Sequence, residues 1–203
     1  MNVRGQRRLP VLRRAAADLL LDEGFDGLTH RALSTRSGVP VASTTHYFPT
    51  VEALVLAAAG ELTERWLDQA RATVRALPAR RTSPTTAART VAEVVLGPAP
   101  TLTGLATFYE RYVQAGRVPA LRDQVTGGNA ELRALIALAL ERCGRPVTPS
   151  GCRLLLAALD GLVLTALELV DGRYEQVAQV HGDEAFDALR PFTVRVVPAQ
   201  LSR

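Results

Sequence analysis

"LTHRALSTRSGVPVASTTHYF", residues 28–48, decides the fold. Leu28, Leu33, Val39 and Phe48 are core-type residues, whereas Thr29, His30, Arg31, Ser43, Thr44, Thr45 and His46 seek a polar partner. Thr29 stands where a helix is capped, its hydroxyl placed to accept from a backbone N–H of the first turn. Leu28 and Leu33 hold the positions of a hydrophobic staple, which sets the angle at which the chain joins the helix. Gly38 suits a tight turn, because a positive φ costs glycine little, and Val39 plugs the angle behind it. The spacing predicts two helices, about 30–36 and 41–47, crossing steeply as a helix-turn-helix. A second helix of this kind fits the DNA major groove. On it Val41, Ser43, Thr45 and His46 face outward, while Thr44, Tyr47 and Phe48 turn partly toward the body. Hydroxyls exchange hydrogen bonds with base edges, and Val and Thr methyls contact thymine methyls. Arg31 reaches a guanine or a phosphate, and Thr29 with the helix N-terminus behind it suits phosphate. Duplex DNA is the partner these residue types fit. A helical hairpin with a merely solvated face would use the same glycine and staple.

Outward from this stretch, charge is uneven. Residues 1–14 carry Arg4, Arg7, Arg8, Arg13 and Arg14 and no acid, in a chain of net charge +4 whose 24 basic residues are all arginine. Such an arm suits a polyanion, with phosphate the usual candidate. It reads as an exposed arm leading into an amphipathic helix from about Leu9 to Glu23, with Leu12, Ala16, Leu19 and Leu20 on one stripe. No run approaches twenty uninterrupted apolar residues, so the expectation is a cytoplasmic protein without a membrane partner. Cys143 and Cys152 have no histidine near them, which argues against zinc and against any metal site. They are expected to be unpaired thiols near a helix–helix turn. No cofactor is implied.

Helical periodicity dominates the rest. Thr50 caps a long helix to about Leu77; "PARRTSP", 78–84, is a connection; a fifth helix runs to about Leu96. Another, capped at Thr101, ends at Gly116. Pro119 opens a further helix that "TGGN", 126–129, kinks or divides, and 130–144 is strongly helical to Gly144. Residues 148–172 are apolar nearly all round, so a subunit interface is expected there, with a last helix near 183–189 beside it. "FTVRVVP", 192–198, is the one strand candidate, too isolated to build a sheet. The expected fold class is all-α, with a helix-turn-helix DNA-binding domain over 1–48 and a helical ligand-binding and dimerisation domain over 49–203.

Residues 15–54, "AAADLLLDEGFDGLTHRALSTRSGVPVASTTHYFPTVEAL", resemble the N-terminal domain of the tetracycline-repressor (TetR) family: an alanine-rich first helix, a glycine and aromatic before "LT", the "GV" turn, and an aromatic pair before the next helix. The late "AALDGLVLTALEL", 157–169, is similar to that family's dimerisation helix. By this resemblance Thr29 and His30 match phosphate-touching positions and Arg31 one that reaches a base. Val41, Ala42, Ser43 and His46 match base-reading positions, and Thr45 and Tyr47 backbone-contacting ones. Val51 stands where the family often has a phosphate-reaching lysine, Pro40 where a capping serine is usual, and Thr45 where tyrosine is common. The resemblance implies a homodimer whose larger domain takes a small-molecule effector and releases a palindromic double-stranded DNA operator.

For the effector, Trp66, Phe108, Tyr109 and Tyr112 are the candidate ligand-binding side chains, although Phe108 and Tyr112 at helical spacing also read as plain core. Glu110 and Arg111 read as solvated. Leu156, Asp160, Gly161 and Leu164 are the candidate dimer-interface residues. A lone carboxylate such as Asp160 inside an apolar helix needs a partner, and Gly161 permits close backbone approach. A ligand-responsive repressor is therefore weighed against a helical enzyme and a protein-interaction module. Against the enzyme, there are only three histidines, His30, His46 and His181, and no phosphate loop, metal motif or nucleophile elbow. No catalytic residue is expected.

Overall fold

The computed structural model of the chain describes residues 3–97 and 102–168. Its elements there are all helices: α1 (Val3–Glu23), α2 (His30–Ser37), α3 (Val41–Tyr47), α4 (Val51–Ala76), α5 (Pro84–Leu96), α6 (Leu102–Arg117), α7 (Pro119–Arg142) and α8 (Pro149–Glu168). The all-α expectation holds for them. The segments 183–189 and 192–198 lie outside the described residues. No described helix is long and apolar enough to cross a membrane.

The chain forms two compact units. Among the described residues, the first comprises 3–66 and 103–128, the second 67–97, 102 and 129–168. In the first unit the predicted stripe of α1 is the floor of the core: Leu12, Ala16, Leu19 and Leu20 are buried, with Leu28, Leu33 and Phe48 from the next turns packed above them. Leu54, Ala58 and Leu62 of α4, Ala115 of α6, and Leu121 and Val125 of α7 close the same cluster. Fully burying one such leucine contributes about 1.5–3 kcal/mol, so these helices stand by shared burial rather than by propensity. In the second unit the inward residues include Val74 of α4, Ala88 and Val91 of α5, Ile136 and Leu140 of α7, and Leu155 and Leu159 of α8.

Two helices run further than expected. α1 starts at Val3, earlier than the expected Leu9, and runs through Pro10. Proline removes one intrahelical hydrogen bond, but the flanking arginines, glutamine and leucines are good helix formers. Likewise α7 crosses "TGGN" without interruption. Gly128 is there for space: a Cβ on it would sit 3.0 Å from the Thr63 methyl of α4, within the first unit. Gly127 beside it faces open space. Gly128→Val should therefore cost about 1–3 kcal/mol by overpacking. Gly127→Ala should leave stability equal or raise it by up to about 1 kcal/mol through helix propensity. Urea-denaturation midpoints of the two variants check this.

Helix starts follow their caps. Thr50 accepts from the Ala53 N–H at 3.0 Å. Ser83 accepts from Thr86 N at 3.1 Å, ahead of Pro84 at the first helical position, where its missing N–H costs nothing. Cys143 and Cys152 are free, as expected, and both are buried. Burial pushes the Cys152 thiol above its ordinary pKa, with Arg133 pulling weakly the other way.

Candidate nucleic-acid interface and an aromatic cage

Thr29 caps α2 from an extended conformation, its Oγ1 accepting from Ala32 N at 3.1 Å. In that role the hydroxyl oxygen accepts and its own proton stays available to donate outward. Gly38 ends α2 in the left-handed region, φ 68°, and its N–H returns to Ser34 O. α3 then starts at Val41 behind Pro40, which supplies no side-chain cap. The carbonyl of Pro40 instead accepts from Ser43 N and Thr44 N, at 2.8 and 3.1 Å.

The orientation of α3 is set by one buried hydroxyl. Thr44 is fully buried. Its Oγ1 donates to Val41 O at 2.8 Å and lies 3.3 Å from His30 Nδ1. With the hydroxyl proton committed to the carbonyl, the ring donates from Nδ1, and the contact ties α2 to α3. Phe48, buried just past the helix, is the second anchor. Thr44→Val keeps the shape and removes both bonds. It should cost about 1–3 kcal/mol at about 1 ± 0.5 per net hydrogen bond, read as a lowered thermal midpoint, with weaker DNA binding because α3 loosens.

Opposite those anchors α3 is bare. Val41, Ala42, Thr45 and His46 are exposed, Ser43 and Tyr47 half-buried. At 100° per residue the four exposed positions cover an arc of roughly 140°, a face of apolar, hydroxyl and imidazole groups. The His46 ring is held edge-on against Tyr47, centroids 5.4 Å apart. Thr45 spends its hydroxyl proton on Val41 O at 2.9 Å. In this rotamer it can accept but cannot donate to a phosphate, so a backbone contact requires it to turn.

Arg31 is exposed on α2 and lines a cleft of about 590 Å³ with Leu19, Glu23, Thr29, Thr35 and Arg36. Behind it Arg36 donates to Asp22 at 2.6 Å. That hydrogen bond is the largest cause of a raised Arg36 pKa; desolvation opposes it, and the charges of Asp22, Glu23 and Asp18 add to it. Arg36 is thus engaged with α1, and Arg31 is the outward cation of α2. His30, whose ring is turned to Thr44, is half-buried. The structure gathers Thr29, His30, Arg31 and the α3 residues into this one α2–α3 region.

A second concentration of chemistry sits in the first unit on α4 and α6. Trp66, Phe108, Tyr109 and Tyr112 come together, Trp66 and Phe108 with centroids 4.3 Å apart and Tyr109 and Tyr112 stacked at 6.1 Å. One residue of this group was placed wrongly by sequence reasoning. Arg111, expected in solvent, is only 5% exposed. Its guanidinium lies 3.8 Å from the Phe108 centroid and 5.2 Å from those of Trp66 and Tyr112, and Nη1 donates to Thr63 Oγ1 at 3.2 Å. A charge so placed is costly unless compensated, and a desolvated cation over aromatic faces recovers about 2 kcal/mol or more. Glu110 is half-buried and accepts from Gln114 Nε2 at 3.4 Å. The same helix reaches α1, where Thr107 Oγ1 donates to Leu20 O at 3.5 Å.

Of the dimer candidates on α8, Leu156 is buried within its own protomer, Asp160 is half-buried, and Gly161 and Leu164 are exposed. Leu154 and Ala157, not singled out from sequence, are exposed with them. The signal for these two was the spacing 154, 157, 161, 164, which places small or apolar residues on one helical stripe. Among the described residues no group of histidine, cysteine and carboxylate side chains could hold a metal ion.

Comparison with known proteins bears on both sites. Residues 12–58 match the family model described as bacterial regulatory proteins, tetR family, and residues 82–198 that of the tetracyclin repressor-like C-terminal domain. No curated protein matches the chain. Among solved structures, the multidrug binding protein EbrR complexed with imidazole is 29% identical with a TM-score of 0.69, over 97% of this chain and 98% of that one. EbrR complexed with proflavin is 30% identical with a TM-score of 0.63, over 91% and 99%. A transcriptional regulator from Streptomyces coelicolor A3(2) is 25% identical with a TM-score of 0.63, over 93% and 98%. With one family model covering the helix-turn-helix and another more than half of the chain, the protein belongs to the TetR family of bacterial transcriptional regulators and is not an enzyme.

Proposed function

We propose that this regulator is a repressor that binds a palindromic operator as a homodimer and leaves it when a small-molecule effector binds. The bare face of α3, held rigid from behind by Thr44 and Phe48, carries this reading. On it Val41, Ala42, Ser43 and His46 read bases. Thr45 and Tyr47 contact the backbone, Thr29 and His30 take phosphate, and Arg31 reaches a base edge or phosphate. Two copies of α3 must sit roughly 34 Å apart to meet successive major-groove faces. The exposed α8 stripe of Leu154, Ala157, Gly161 and Leu164 is the surface assigned to the partner, with Asp160 at its border. Residues 1–48 serve as the reading domain and 49–203 as the sensing and dimerising one, in the cytoplasm with the DNA.

The effector is assigned to the aromatic residues Trp66, Phe108, Tyr109 and Tyr112. The proflavin complex of EbrR supports a ligand of that planar type. An effector acts by its differential affinity for the DNA-competent and DNA-incompetent arrangements. The test is selection of genomic fragments on the purified protein. A palindromic consensus with steeply salt-dependent affinity is expected. Fragments with no shared motif, or a protein that sediments as a monomer, would overturn the reading.

A further inference from the structure

α3 carries few of the side chains that hydrogen-bond specifically to bases. Its residues, Val41–Tyr47, include no arginine, lysine, asparagine, glutamine, aspartate or glutamate. Those are the groups that pair bidentately with guanine or adenine, or accept from the cytosine amino group. The hydroxyls do not replace them. Thr44 and Thr45 donate to the same carbonyl, Val41 O, at 2.8 and 2.9 Å. Ser43 carries the third hydroxyl, and a lone hydroxyl both donates and accepts, so it fits every base. The exposed ring of the face, His46, stands edge-on against Tyr47. What the first turn of α3 presents is hydrocarbon: Val41, 45% exposed, and Ala42, exposed beside it. Residues early in a recognition helix are the ones that meet base edges. In the major groove the hydrocarbon partner among the four bases is the C5-methyl of thymine.

We propose that α3 reads a pyrimidine C5-methyl: Val41 and Ala42 pack on the methyl of at least one thymine in each half-site, and this contact, rather than a hydrogen bond, is how α3 selects its base. The inference rests on the operator reading above and names the chemistry of the base that is recognised. Thymine is then preferred to uracil, although the two share every hydrogen-bond donor and acceptor. The contact also depends on the methyl more than on the base that bears it. Cytosine methylated at C5 carries the same group at the same ring position, so a methylated C·G pair is accepted better than an unmethylated one. Affinity therefore responds to C5 methylation at a defined step of each half-site. Burying one methyl(ene) group corresponds to about fourfold in affinity, and a two-fold dimer makes the contact twice, which gives about tenfold or more per symmetric substitution.

The probe is the consensus duplex from the fragment selection, read by anisotropy at fixed salt. Deoxyuridine replaces thymidine at one position at a time, in both half-sites together. At one or two positions a loss of about tenfold or more is expected, and 7-deazaadenine in place of the paired adenine should cost less than the deoxyuridine does. With the same pair changed to C·G, 5-methylation of its cytosine should tighten binding by about tenfold. In Val41→Ala the deoxyuridine penalty should shrink by at least about threefold at one of these positions, the signature of a direct contact in a double-mutant cycle. Deoxyuridine tolerated at every position would overturn the proposal, as would no gain from the cytosine methyl. A larger loss from 7-deazaadenine than from deoxyuridine would put hydrogen-bond reading in its place. A deoxyuridine penalty unchanged throughout in Val41→Ala would move the methyl's effect from α3 to the stiffness of the duplex, and overturn it too. Fragments that share no motif sink the operator reading and this inference together, whereas a clear motif indifferent to the methyl sinks this inference alone.

Discussion

Replacing Arg31 and Ser43 together by alanine is expected to weaken specific operator binding by at least about 100-fold while leaving the oligomeric state and thermal midpoint unchanged. A good base contact is worth about 1–3 kcal/mol, each 1.4 kcal/mol is tenfold, and a dimer loses every contact twice. Arg31 is exposed and Ser43 half-buried, so truncating them removes little packing. Fluorescence anisotropy on operator and on scrambled duplex at fixed salt separates the two kinds of loss. If Arg31 touches a base, discrimination between the duplexes falls. If it touches only phosphate, both affinities fall together and the salt slope drops by about one. Equal affinity in wild type and the double variant would remove both residues from the interface.

A change of comparable size is expected from the inside. Leu33→Ala should destabilise the first unit by about 2–5 kcal/mol, the range for a leucine truncated in a close-packed core. Leu33 has no exposed surface and packs in the same cluster as Leu12, Leu28 and Phe48. Because it is the one fully buried residue of α2, its loss should unseat α2 and, through His30 and Thr44, α3 as well. Thermal unfolding followed by circular dichroism reads the cost. Val41→Ala is the matched control: at 45% exposure it should shift stability by no more than about 0.5 kcal/mol, yet still alter DNA binding.

The α2–α3 region was legible in the sequence because its determinants are local. Thr29, Leu33, Gly38 and Phe48 lie within twenty-odd positions, and each acts on neighbours a few residues away. The bounds of α3 came out as expected, and Thr44 and Phe48 turned inward as their types and phase required. Elsewhere the determinants are distant. Arg111 reads as solvated beside Glu110 until Trp66, from another helix, is brought over it. The Gly127–Gly128 pair reads as a break until the Thr63 methyl shows what the space is for. In each case the missing information was which face of one helix meets which face of another, and periodicity within a single segment does not contain it.

The division of labour on α3 bears on how such proteins diversify. The groups that hold the helix, a concealed threonine and a concealed phenylalanine, are not the groups it shows to the outside. Substitutions at Val41, Ala42, Thr45 or His46 can therefore accumulate at almost no thermodynamic penalty. A duplicated copy of the gene could acquire a new target site through drift at these positions while its scaffold stays under purifying selection. The same separation makes the four positions the natural ones to randomise in a library aimed at altered operator preference, with Thr44 and Phe48 left untouched.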